Sequence, residues 1–349
     1  MTISAGKLWG LRRMADEAGR FKMTAVDQRP PIKNLIAERR GAAEAPYEDV
    51  CAVKALLVQE LGAQSSAMLL DPHYALPAAV MGLSPTKGLI LTLEDSVFAD
   101  GSGGRVSSEI DHWSVAKIKR AGGDAVKVLA WYRPDADPDV CAAQQDFTRK
   151  IGEACAACDI PFVFELLVYP LPGDGDQTTD YVEHRSKNPE LVLDSVRTFA
   201  APEFGIDVFK LESPIPAESV PDPEGEGADA AQALFDEMGR LAGRPWVMLS
   251  AGAGKEAFKR VLTFAYRAGA SGYLAGRAIW WDAFQAFPDM DAMRAGLRSD
   301  GVAYMETLNA LTDAQATPWH AHACYGGDVG LAGAGAGFRA AYPDFGGKS

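Results

Sequence analysis

The sequence is short of the features that would send a chain into a bilayer, onto nucleic acid or out of the cell. No uninterrupted apolar run among its 349 residues is long enough to span a membrane. The N-terminus lacks the apolar core of a secretion signal, because Leu11-Arg12-Arg13-Met14-Ala15-Asp16-Glu17 is charged. Positive charge is in deficit, and a net charge of −13 argues against a general binder of nucleic acid or anionic membranes, though not against a local anion pocket. Cysteine is scarce. Cys51, Cys141, Cys155, Cys158 and Cys324 form an odd, scattered set, which argues against a disulfide framework and for a reducing cytoplasm. Cys155-x-x-Cys158 falls near the end of a helical stretch, whereas thiol pKa values are lowered at helix starts, so it reads as structural.

Histidine is also sparse. Of His73, His112, His184, His320 and His322, only His73 closely follows a strand-like segment. Converging ligands for a catalytic metal are therefore missing, and no metal or other cofactor is expected. No glycine fingerprint follows the first strand, which argues against a doubly wound nucleotide-binding sheet. The Gly- and Ser-rich stretch from Asp100 to Ser108 lacks a P-loop lysine and reads as a mobile loop rather than a phosphate cradle.

What is present is an even alternation of strands and helices. Apolar, β-rich segments begin near residues 21, 66, 88, 125, 162, 208, 246 and 272, and a helical pattern follows each. Pro30-Pro31 opens a helix that closes near Gly41, and Pro189 sits in the first turn of another. Eight such units predict a single-domain α/β fold, a (β/α)8 TIM barrel, over residues 1–315. A short amphipathic helix carrying Leu8, Leu11 and Met14 precedes it, and residues 316–349 read as a Gly/Ala-rich tail. The acidic stretch from Glu218 to Asp229 reads as a mobile loop.

Three of the strands carry charge where apolar residues are expected. Lys127 lies in Ala125–Trp131, Glu165 in Phe162–Val168, and Lys210 in Val208–Pro214. Such groups are costly inside a parallel barrel unless they are paired, neutralised or used. Two lysines and a carboxylate on consecutive strands suit Schiff-base chemistry. One cation beside another lowers an amine pKa, and a carboxylate moves the protons of imine formation. The seventh and eighth strands end in Ser250-Ala251-Gly252 and Gly276-Arg277. In barrels, the loops after these strands commonly hold phosphate through backbone N–H groups, and an arginine fork would complete the site.

The motifs Ala25-Val26-Asp27-Gln28-Arg29, Leu69-Leu70-Asp71-Pro72, Val126-Lys127, Phe209-Lys210-Leu211-Glu212-Ser213-Pro214, Leu249-Ser250-Ala251-Gly252 and Gly276-Arg277-Ala278-Ile279-Trp280 occur in order over roughly residues 5–320. In this the chain resembles the class I tagatose 1,6-bisphosphate aldolases and the related sulfofructose-phosphate aldolases. The resemblance implies a metal-independent barrel aldolase in which Lys210 forms the imine with dihydroxyacetone phosphate. Glu165 would be the acid/base and Lys127 its partner. Asp27 and Gln28 would hold substrate hydroxyls, and Ser250, Gly252, Gly276 and Arg277 would hold a phosphate. The partner expected is a small phosphosugar, with no nucleic acid or membrane, and the chain is expected to form homo-oligomers. A sulfonated ketose is the alternative substrate. A phosphosugar-binding barrel without catalysis and a barrel isomerase using Glu165 alone are the alternatives of other classes. The Pro170–Asp180 stretch and the Glu218–Asp229 loop read as insertions around the mouth of the site.

Overall fold

Alternation with a period of two gives each apolar segment one face toward the barrel axis and one toward the helices. The strands are β1 (Phe21–Ala25), β2 (Ala67–Leu70), β3 (Gly88–Thr92), β4 (Ala125–Trp131), β5 (Phe162–Leu167), β6 (Val208–Leu211), β7 (Trp246–Met248) and β8 (Gly272–Ala275). All pair in parallel, and β8 pairs with β1 to close the barrel. The computed structural model describes residues 2–101, 103–171, 174, 187–326 and 328–344. The single-domain (β/α)8 barrel expected from the strand count is the fold observed.

The outward residues of the strands, among them Val126, Phe164, Phe209 and Trp246, pack against the surrounding helices. Burial of each such large side chain contributes about 1.5–3 kcal/mol. The inward residues form three tiers. Phe21, Met23, Ile90, Val163, Val208 and Leu274 fill the lower end, at the strands' N-termini. Leu129, Trp131, Leu167, Tyr169 and Leu249 line the upper end on one side. The tier between holds the charged residues.

The lower end is closed by both chain termini. Leu11 and Met14 of the helix Ala5–Met14, with Trp319 and Tyr325, pack onto the lower tier. Thr2–Ile3 pairs in parallel with Gly330–Leu331, so the first residues and the region after Pro318 hold each other in place. His322 is buried here, its Nε2 2.9 Å from Ser271 Oγ at the foot of β8.

Two loop expectations are corrected. The stretch from Asp100 to Ser108 is not a mobile loop: Ala99–Gly101 pairs antiparallel with Gly104–Val106. Arg105 anchors this hairpin. Its guanidinium lies 4.7, 4.8 and 5.0 Å from the ring centres of Phe98, Trp131 and Tyr169, and its backbone N–H donates to Tyr169 Oη at 2.9 Å. Composition signalled a loop, while aromatic residues distant in sequence supply a cation–π box that orders it. The acidic stretch from Glu218 is also held. Arg260 donates to the Val220 carbonyl at 2.9 Å, and Arg267 pairs with Glu224 at 2.7 Å. Both arginines come from the helix Lys255–Arg267, which no local reading of the loop could have supplied. Of the Pro170–Asp180 stretch, residues 172–173 and 175–180 lie outside the described residues. Among the described residues no helix is long and apolar enough to cross a membrane. Cys155 is buried and burial pushes its thiol well above the ordinary range, as suits a packing residue.

Candidate active site

β5 and β6 put Glu165 and Lys210 directly opposite one another as register partners. Their side chains project side by side into the barrel, and Lys210 Nζ lies 2.9 Å from Glu165 Oε2. Lys127 is in register with Val163, one inward step lower than Glu165. Its four-carbon stem rises past Leu129, and Nζ reaches the same Glu165 oxygen at 2.7 Å. Lys127 also meets Asp27 Oδ2 at 3.0 Å and Glu94 Oε1 at 2.6 Å. One ammonium is thus held by three carboxylates. Burial by itself would lower Lys127, but Asp27, Glu165 and Glu94 outweigh it and hold the group well above the ordinary lysine range. The converse holds for Asp27. Burial by itself would raise its carboxyl, but Lys127, Lys210 and Arg29 outweigh it and bring it down to about 2.

This arrangement corrects one expectation. The sequence suggested one cation directly beside another. Instead, Glu165 Oε2 stands between the two ammonium groups and bonds to both. Lys127 is fixed as a cation, so it is unsuited to be a nucleophile and suited to stabilise negative charge. Lys210 has one carboxylate contact among the described residues and lines the cavity.

A narrow cavity of about 50 Å³ opens at the C-terminal ends of the strands. Every residue expected in the site lines it (Asp27, Gln28, Lys127, Glu165, Lys210, Ser250, Gly276, Arg277) except Gly252. Gly252 lines the adjoining cavity of about 450 Å³, which shares Arg277 as a wall. The Ser250-Ala251-Gly252 turn is tight: Ala253 N–H donates to the Ser250 carbonyl at 2.7 Å, and Ala251 and Gly252 have φ of 46° and 83°. A left-handed alanine costs on the order of 1 kcal/mol, the kind of strain found at ligand-binding turns. The helix Lys255–Arg267 starts just beyond, with the Gly254 N–H donating to Glu218 Oε1 at 3.2 Å. Arg277 does not end β8, as the sequence suggested, but is the first residue of the helix Arg277–Phe284. Gly276 precedes it for a steric reason. A Cβ there would come within 2.7 Å of both the Ala25 carbonyl oxygen and Gln28 Nε2. The glycine therefore lets β8 and the Gln28 amide meet at the cavity wall.

Two charged cavity residues, Glu94 and Arg29, were not assigned to the site from the sequence. Glu94 continues the inward phase of Ile90 and Thr92 past the end of β3, and Thr92 Oγ1 donates to its Oε2 at 2.6 Å. That phase was the available signal, and following β3 one residue pair further would have found it. Arg29 donates to the Glu94 backbone carbonyl at 3.0 Å and is buried. The Asp71 motif has a supporting place. Asp71 forms a buried ion pair with Lys54, and Lys54 Nζ donates to the Val26 carbonyl at 2.7 Å. The pair fixes the end of β1 immediately before Asp27.

Fold and site together define a barrel with two buried lysines that share one carboxylate at the C-terminal ends of its strands. The chain belongs to the DeoC/LacD aldolase family, whose pattern matches residues 21–282. It is an aldolase, a carbon–carbon lyase, and the non-catalytic reading falls away. It is 34% identical over 325 residues to a tagatose 1,6-diphosphate aldolase of Listeria monocytogenes, covering 91% of this chain and 94% of that one. It is also 34% identical over 333 residues to tagatose 1,6-diphosphate aldolase 1 of Streptococcus mutans, covering 91% and 99%. Among solved structures, the fructose-bisphosphate aldolase of Plasmodium falciparum superposes with a TM-score of 0.63 at 13% identity, covering 91% of this chain and 98% of that one. An archaeal fructose-1,6-bisphosphate aldolase gives 0.52 at 18% identity, covering 87% and 98%. At these identities the structural likeness bears on the fold alone.

Proposed function

We propose that the protein is a class I aldolase that reversibly cleaves a ketohexose bisphosphate of the tagatose 1,6-bisphosphate kind, giving dihydroxyacetone phosphate and a three-carbon aldehyde phosphate. The observation that carries the chemistry is the 2.9 Å contact between Lys210 Nζ and Glu165 Oε2, beside a Lys127 that three carboxylates keep charged. The name of the curated relatives, at 34% identity across 91% of the chain, supports the choice of ketose.

In this reading the Lys210 amine adds to the C2 carbonyl, and the resulting carbinolamine loses water to become a protonated imine. Glu165, in contact with the same nitrogen, delivers the proton that lets hydroxide leave as water. A base takes the proton from the C4 hydroxyl, the C3–C4 electron pair moves into the iminium, and the aldehyde departs. The enamine is then protonated at C3 and hydrolysed, which frees dihydroxyacetone phosphate and restores the amine. Asp27, ionised at any pH above about 2, is an acceptor for substrate hydroxyls, and Lys127 stabilises oxyanions that form beside it. Ser250, Gly252, Gly276 and Arg277 hold the ketone phosphate. The five cysteines, all free, support a cytoplasmic setting.

The test is reduction with borohydride in the presence of dihydroxyacetone phosphate, followed by mass spectrometry of peptides. The reading expects one adduct, on Lys210, undiminished by prior treatment with a chelator. An adduct confined to exposed lysines, or none at all, would refute it.

A further inference from the structure

Behind the cavity lies a buried ion pair that takes no part in the chemistry above. Lys54, on the helix Tyr47–Leu61, pairs with Asp71 directly after β2, and neither side chain is exposed. Burial pulls the Lys54 amine below its ordinary range even with Asp71 beside it. A pair of this kind is weak evidence for stability, because apolar residues of similar volume often fill such a place as well or better. Its polar atoms are nonetheless well met. Asp71 Oδ1 accepts from the His73 and Tyr74 N–H groups at 3.0 and 2.9 Å, and Lys54 Nζ donates to the Val26 carbonyl at 2.7 Å.

The Val26 carbonyl belongs to the peptide that leads into Asp27. The Val26 N–H still bonds the Leu69 carbonyl of β2 at 2.8 Å, but the pairing of β1 with β2 ends at Ala25. Beyond Ala25 the ladder no longer sets the direction of the chain, and Lys54 takes over by holding the planar unit that joins Val26 to Asp27. A fixed peptide plane limits the directions in which the next side chain can leave the backbone. Val26 packs outward against the helices, and Asp27 turns inward, where its Oδ2 meets Lys127 at 3.0 Å.

We infer that Lys54 is a positioning residue for the reaction: held by Asp71, it clamps the Val26–Asp27 peptide so that the Asp27 carboxylate faces Lys127 and the hydroxyls of the substrate. This deepens the aldolase reading and rests on it. Lys54 is not among the residues that line the reactive cavity. It acts through Asp27, so it has nothing to act on once the Asp27 side chain is gone.

The experiment is a double-mutant cycle, read as the dihydroxyacetone phosphate concentration that half-saturates borohydride trapping on Lys210. Lys54→Met and Asp71→Asn are made together, which leaves no uncompensated buried charge, and Asp71→Asn keeps an oxygen for the two N–H groups. With Asp27 in place, this replacement should raise the half-saturating concentration at least tenfold, about the scale of one lost charge-assisted hydrogen bond. In an Asp27→Ala background, itself weakened, the same replacement should change it less than about twofold, because residues that act through one another are not additive. Equal losses in both backgrounds would make the pair a general support of the fold and overturn the inference. Half-saturation like the wild type's in the pair variant would overturn it too, as would an Asp27→Ala variant that traps nothing at any concentration, since Asp27 would then serve imine formation itself. If the pair variant does not fold, as its melting curve would reveal, Lys54→Gln, whose amide falls one bond short, takes its place. A loss with Asp27 present and none without it then supports the inference, and any other pattern overturns it. These failures leave the aldolase reading standing, whereas a wild type that traps no imine would overturn both.

Discussion

Glu165 Oε2 stands 2.9 Å from the nitrogen of Lys210 because the two residues are register partners on adjacent parallel strands. The same oxygen is 2.7 Å from Lys127. One carboxylate oxygen therefore contacts the Lys210 nitrogen and a fixed cation together. The fixed cation is held in turn by Asp27 and Glu94.

Glu165→Gln should reduce kcat far more than it weakens binding. The amide keeps the shape but cannot exchange a proton, and a positioned acid/base group contributes about 10²–10⁴-fold. Steady-state kinetics in the cleavage direction, with calorimetric binding of dihydroxyacetone phosphate, separates the two effects. A variant with turnover within a few-fold of the wild type would show that Glu165 only pairs the lysines.

Arg277→Ala should weaken the phosphorylated ketone more than the unphosphorylated one. Arg277 lines both the reactive cavity and the adjoining cavity that Gly252 borders. Loss of a charge-assisted contact, worth roughly 1.5–3 kcal/mol, corresponds to about ten- to more than a hundredfold in affinity. Some turnover should be lost as well, since phosphate binding positions the ketone at Lys210. Equal losses for dihydroxyacetone phosphate and dihydroxyacetone, together with a lower melting temperature, would make Arg277 a structural residue.

His322 should make the protein less stable as the solution turns acidic. Burial lowers its pKa from 6.5 to about 4. Below the unfolded value the unfolded chain takes up a proton that the folded chain refuses. The loss of stability therefore begins as pH falls through about 6.5 and is complete near 4. Across that window the linkage amounts to about 3 kcal/mol at most. His322→Gln, which keeps a partner for Ser271, should flatten the change in unfolding free energy between pH 7 and pH 4.5. Denaturant melts at both pH values measure it, and an unchanged slope would assign the acid sensitivity to other groups.

The barrel was legible in the sequence because strand and helix periodicities are local, and eight repetitions of them leave few alternatives. Lys127, Glu165 and Lys210 stood out for an equally local reason: each is a charge in phase with an apolar strand face. Tertiary structure decided what each charge meets. Whether Lys127 faces Lys210 or a carboxylate depends on the stagger of β4 against β5, and stagger is a property of the closed barrel. Glu94 and Arg29 follow the ends of β3 and β1, and although Glu94 keeps the inward phase of its strand, only the folded chain brings residue 94 to the Lys127 ammonium and residue 29 to the cavity beside it. The same holds for the two loops judged mobile. Their composition is that of loops, but Arg105 in its aromatic box and Arg260 on a distant helix hold them through contacts that local sequence does not encode. Sequence carried the identity and phase of the reactive groups, whereas pairing, charge balance and the direction of the cavity came from distances between strands that are far apart along the chain.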